Sequence, residues 1–157
     1  MGAGSRLFCY VDADCAAFSV LGVLILVAAV VDARTRTYPV ALAMAVAAAG
    51  AWWALARGGA DMLGAHCLAA CAVSGLLVVF EIAWRRHHDG AAGLGMGDVK
   101  YLFGTMLADP AYALVGFSVG LALLALAGTV CRRPSLPLLP FVAAGTALIV
   151  VPSVLAG

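Results

Sequence analysis

Charge is what this sequence has least of. Only 11% of its 157 residues are Asp, Glu, Lys or Arg, against about 25% in an ordinary soluble domain, while 65% are hydrophobic against about 45–50%. A chain of this length has too little interior to hide so many Leu, Val and Ala side chains from water. A water-soluble fold is therefore excluded, and the surrounding solvent is mostly lipid, which accepts apolar side chains on the outer faces of helices. The net charge of +1 leaves no basic surplus for nucleic acid and no strong attraction to an acidic partner.

Other absences narrow the reading further. The five cysteines, Cys9, Cys15, Cys67, Cys71 and Cys131, form no Cys-x-x-Cys pair, and three fall within or beside apolar runs. They read as small hydrophobes rather than as a disulfide framework or a metal site. The first apolar stretch runs straight into Val31-Asp32-Ala33-Arg34 with no small-residue cleavage pattern, so a removable signal peptide is not expected. Arg6 stands where a myristoylation site carries Ser or Thr. There is no internal repeat, low-complexity tract or long linker, so residues 1–157 are expected to form a single membrane-embedded domain.

What is present is a succession of apolar runs. Ala16 to Val31 stops at Asp32, Arg34 and Arg36; Val40 to Ala56 stops at Arg57-Gly58-Gly59; Met62 to Phe80 continues to Trp84 and stops at Arg85, Arg86, His87, His88 and Asp89. Each approaches the roughly 20 residues a membrane helix needs. The fourth segment is short: Gly93, Gly95 and Gly97 lead into Asp98 and Lys100, leaving Tyr101 to Ala108 before Asp109-Pro110. It can cross only if the glycine-rich stretch is itself embedded, which membranes tolerate against protein or a watery cavity. Ala111 to Val130 and Leu136 to Ala156 complete the set. The expected fold is an all-α polytopic bundle of about six transmembrane helices, with Ala- and Gly-rich stretches such as residues 43–51 suited to close helix approach.

Arg34, Arg36, Arg85, Arg86, Lys100, Arg132 and Arg133 fall on one side of that arrangement, and only Arg6 and Arg57 on the other. The positive-inside rule then places the N-terminus outside and the basic loops in the cytoplasm. Trp52 and Trp53 mark the outer interface and Trp84 the inner one.

Two acids stand out at the cytoplasmic boundary. Asp32 closes the first helix, where its carboxylate faces the negative end of the helix dipole and needs other support; pairing with Arg34 or Arg36 is the structural alternative. Asp98 opens the fourth, where an Asp after glycines is a natural N-cap. The glycines of Gly95-Met96-Gly97-Asp98-Val99-Lys100 admit close backbone approach and give the turn unusual freedom, as a site for an extended peptide requires.

Gly95-Met96-Gly97-Asp98 resembles the GxGD signature of the membrane aspartic peptidases that process type IV prepilins. Val31 to Pro39, with Asp32 seven residues before Pro39, is similar to the family's first aspartate motif, and Pro137, Pro140, Phe141 and Gly145 resemble the Pro-rich start of its last helix. The likeness covers nearly the whole chain. It implies an aspartic endopeptidase of the inner membrane that cleaves a short basic leader from a pilin-like precursor at the cytoplasmic face. Asp32 and Asp98 would be its catalytic pair, and Gly95, Gly97, Lys100 and Pro39 would shape the site or bind substrate. Larger family members carry an additional domain with Cys-x-x-Cys motifs associated with methylation. Nothing here corresponds to it, so the chain resembles the short branch that includes tight-adherence (Flp) pilus peptidases, and no methyltransferase activity is expected. Tyr38 stands before Pro39 where an aliphatic residue is usual.

The chemistry expected of such a pair is water activation by one ionised and one protonated carboxyl, without metal, cofactor or covalent intermediate. Lys100 otherwise reads as an interfacial lysine reaching the headgroups. Two other readings stay open. Asp32, Asp98, His87, His88 and Asp89 share a surface and include oxygen and imidazole ligands, although no HExxH-like spacing sets ligands on one helix face. The same acids could instead serve a small ion- or proton-coupled transporter or a non-catalytic assembly subunit.

Overall fold

The computed structural model describes residues 3–88, 95–131 and 137–155, with side chains over residues 15–88, 95–131 and 137–148. It is all-α, as expected: α1 (Ala3–Thr35), α2 (Val40–His87), α3 (Met96–Ala108), α4 (Pro110–Cys131) and α5 (Leu139–Leu155). Three stretches are long and apolar enough to cross a membrane, namely Cys15–Thr35, Val40–His87 and Pro110–Cys131. With 13 residues, α3 reaches only about 20 Å, short of a bilayer core.

The 48 residues of α2 do not form one rod. Gly59 has φ 67 and ψ −158, a backbone region open essentially to glycine alone. Contacts on either side show what this does. A Cβ on Gly104 of α3 would lie 3.1 Å from Val46, and His66 Nδ1 lies 3.1 Å from the carbonyl oxygen of Leu107, one turn further along α3. In a straight helix residues 46 and 66 would be about 30 Å apart. The chain therefore folds back at Gly59, and both limbs of the resulting hairpin pack on α3. The break anticipated at Arg57-Gly58-Gly59 is this reversal.

Each remaining turn has a local cause. Arg36 takes a left-handed conformation (φ 53), and its N–H donates to the Asp32 carbonyl at 2.9 Å, which ends α1. Pro39, extended at φ −62 and ψ 141, is the N-cap of α2. Asp109 caps α4 by accepting the N–H groups of Ala111 and Tyr112 at 2.9 and 3.1 Å, with Pro110 in the first helical position.

Packing follows the small residues. A Cβ on Gly50 would lie 2.5 Å from the Gly104 carbonyl, so α2 and α3 meet backbone to backbone, as the composition of residues 43–51 suggests. Gly120 does the same between α4 and α5, where a Cβ would sit 2.5 Å from Val142 Cα. Tyr101, Leu102, Met106, Leu139, Val46 and Val142 are the largest fully buried side chains, whereas Leu26, Leu68, Leu76 and Val130 lie exposed on outer faces. α1 packs on α2 and α5, which brings the end of α1, the start of α3 and the start of α5 to one end of the bundle.

Candidate functional site

Asp32 stands in the last turn of α1, half-buried. Its Oδ2 accepts the N–H of Leu139, the first residue of α5, at 3.2 Å. A carboxylate opposed by its own helix dipole is thus held by the positive end of another helix, whose first N–H groups have no partner within that helix. This is the support that its position demanded, and it comes from α5.

Asp98 is not the N-cap of α3. That place belongs to Gly95, and Asp98 occupies the third helical position, from which its carboxyl reaches back to the Gly95 backbone. The capping expectation holds in this modified form, that of an acid three residues into a helix bonding back to the cap. Asp98 lies outside the three long spans. Burial pushes its carboxyl up to about 6, the nearby Asp32 carboxylate adds to the rise, and the bond from Gly95 opposes it. Asp32 and Asp98, from the first and second of the three sequence motifs, are therefore electrostatic neighbours.

The two glycines work by space rather than by backbone freedom. Gly95 has an ordinary φ of −71, and Gly59 is the only glycine with positive φ among the described residues. A Cβ on Gly95 would meet Asp98 Oδ2 at 2.8 Å, and one on Gly97 would meet Tyr38 Cβ at 3.1 Å. Side chains, not another backbone, occupy the room the glycines leave. Pro39 follows Tyr38 at the start of α2 and so helps fix where Tyr38 stands. Lys100 is exposed on α3. Gly93, Asp89, Arg132, Arg133 and Pro134 lie outside the described residues.

Sequence reasoning passed over three features of the structure. Tyr101 is 1% exposed and meets Tyr38 edge-on, with ring centroids 6.1 Å apart at 72°. Its spacing of three from Asp98 puts both on one side of α3, the one signal that was available. Glu81, 2% exposed inside an apolar run, accepts a 2.6 Å bond from Arg85 four residues later. The Leu139 N–H carries no side-chain signature at all.

His88 stacks on Trp84 with centroids 3.8 Å apart, and its Nδ1 lies 3.1 Å from the Trp84 carbonyl oxygen. Among the described residues no group of three or more His, Cys, Asp or Glu side chains is placed to hold a metal ion. Chemically, the site offers two neighbouring carboxyls in unlike surroundings: Asp32 accepts a backbone N–H at the start of α5, and burial favours the protonated form of Asp98. No protein-family model, curated protein or solved structure matches the chain.

Proposed function

We propose that the chain is a membrane-embedded aspartic endopeptidase that removes the short basic leader of pilin-like precursors at the cytoplasmic face of the inner membrane. The observation that carries this reading is the meeting of Asp32 with Asp98 at one end of the bundle, the first bonded to the start of α5 and the second buried. The GxGD string around Asp98 and the Asp32-to-Pro39 spacing support it.

With the N-terminus outside, the hairpin at Gly59 makes two crossings of α2, and α3, which opens with Asp98 at the cytoplasmic boundary, enters the membrane beyond it as one short segment among about six in all. The basic residues that close α1 and α2 then face the cytoplasm at the same end as the dyad. A precursor's apolar helix lies against the bundle in lipid, with its leader at that interface.

In the reaction Asp98 holds the proton of the pair, and Asp32, bonded to the start of α5, takes a proton from a water molecule as the water oxygen attacks the scissile carbonyl. Asp98 donates its proton in a hydrogen bond to the developing oxyanion. Collapse of the tetrahedral intermediate breaks the C–N bond, a proton passes from the pair to the leaving nitrogen, and the products are a carboxylic acid and an amine, between which a proton moves to give carboxylate and ammonium. The pair holds one proton at the start and one at the end, so no cofactor is needed.

The test is co-expression with a pilin-like precursor carrying a basic leader, read as precursor size on a gel. Wild type should shorten the precursor, while Asp32→Asn and Asp98→Asn should leave it intact and still insert into the membrane. Shortening by either variant would remove that residue from the pair.

A further inference from the structure

The inner end of α2 gathers groups that the carboxyl pair does not use. The Arg85 side chain is 47% exposed, yet its Nε donates to Glu81 Oε1 at 2.6 Å, and the Glu81 side chain is only 3% exposed. A buried acid thus fixes a long side chain that would otherwise sample many rotamers. The bond engages Nε, so the terminal amino groups of the guanidinium remain to donate elsewhere.

His88 completes the arrangement. The helical repeat sets it between Trp84 and Arg85 around the axis. Its ring stacks on Trp84 with centroids 3.8 Å apart and planes 13° apart, and its Nδ1 lies 3.1 Å from the Trp84 carbonyl oxygen. A carbonyl only accepts, so Nδ1 carries the hydrogen, and Nε2 on the far edge of the ring has a second N–H whenever the ring is protonated. Two oriented cationic side chains therefore stand side by side, three residues apart.

Below them runs an apolar ridge. Leu76, Phe80 and Trp84, each four residues from the next, are all exposed, and the rings of Phe80 and Trp84 lie 6.0 Å apart. From His88 down to Leu76 the helix rises about 18 Å, close to the depth of one leaflet, half of a hydrocarbon core about 30 Å thick. Trp84 stands where interfacial tryptophans meet the headgroups. The ridge suits an acyl chain, and the guanidinium fork matches phosphate oxygens. A zwitterionic headgroup would bring its own cation against Arg85 and His88; an anionic one would not.

We propose that the inner end of α2 is a binding site for one anionic phospholipid, whose phosphodiester is held by Arg85 and His88 and whose acyl chain lies along Trp84, Phe80 and Leu76. The site is separate from the carboxyl pair, and the inference goes beyond the peptidase reading and does not depend on it.

The experiment equilibrates the purified protein in detergent with equal amounts of phosphatidylglycerol and phosphatidylcholine and counts the lipid each molecule retains by native mass spectrometry. Wild type should retain phosphatidylglycerol about tenfold in preference, the worth of a charge-assisted hydrogen bond. Arg85→Lys keeps the charge that balances Glu81 but loses the fork, and His88→Gln keeps a polar side chain without the imidazole. Each should lower the preference about threefold or more, whereas Arg86→Gln, which removes a charge from the other side of the helix, should leave it unchanged. Adding inorganic phosphate should not displace the lipid, since phosphate lacks the acyl chain. The absence of a preference in wild type, an unaltered preference in Arg85→Lys and His88→Gln, or a loss on Arg86→Gln equal to theirs would overturn the proposal. Displacement by inorganic phosphate would show a free-anion site and overturn it equally.

Discussion

Replacing Gly95 with Ala tests the geometry of the site at its tightest point. The backbone there, φ −71 and ψ 133, is as open to Ala as to Gly, so no conformational strain is introduced. The added methyl would lie 2.8 Å from Asp98 Oδ2, closer than real Cβ atoms approach oxygen, and the carboxyl must rotate away. It then loses its bond to the Gly95 backbone, a capping interaction worth about 1 kcal/mol. A displacement of about 1 Å at a reacting group costs roughly 100-fold in rate. The variant should therefore cleave precursor about 100-fold more slowly while losing only about 1 kcal/mol of stability. The assay is initial cleavage rate in membranes alongside thermal unfolding of the purified protein. Gly75→Ala is the control, since a Cβ there meets nothing within 4 Å; it should cleave normally and be slightly more stable. Wild-type rates from Gly95→Ala would refute the claim that the glycine exists to seat the Asp98 carboxyl.

Two further predictions follow from the same contacts. Asp98 binds its proton more tightly in the folded protein, at about 6 against 3.8, so its stabilising contribution is fully present below pH 3.8 and is lost as pH rises through about 6. The shift corresponds to about 3 kcal/mol, reduced to about 1–2 by the group's remaining water contact. Unfolding temperature should fall between pH 4 and pH 7 in wild type and less so in Asp98→Asn, and cleavage should decline above about pH 6 as the pair loses its shared proton. Separately, Gly120→Val would drive a side chain into Val142 Cα and should destabilise the α4–α5 pair by about 1–3 kcal/mol or more, seen as a lowered unfolding temperature.

Much of the helical layout was legible because its causes are local. Apolar runs, the Gly58-Gly59 break and Asp109-Pro110 each act within a few residues, and the structure keeps all three. The short fourth segment could also be read as too short to cross by itself. What stayed hidden depends on the third dimension. The bond from Leu139 to Asp32 joins residues 107 positions apart through a backbone N–H that every residue but proline possesses. The glycines of the GxGD string suggested conformational freedom, whereas their neighbours show that they provide space for Asp98 and Tyr38. Tyr101 and Glu81 were concealed in apolar runs, where one polar atom scarcely alters the pattern. Asp98 was read as a cap or a catalyst, and its position allows both, since the carboxyl that braces the helix start also faces Asp32.

The most direct test of the central claim uses the purified protein in liposomes with a pilin-like precursor, and identifies the products by mass. The account predicts one cut between the basic leader and the apolar helix by wild type, and none by Asp32→Asn or Asp98→Asn proteins with wild-type unfolding behaviour. An intact precursor with folded wild type, or equal cutting by both variants, would contradict it.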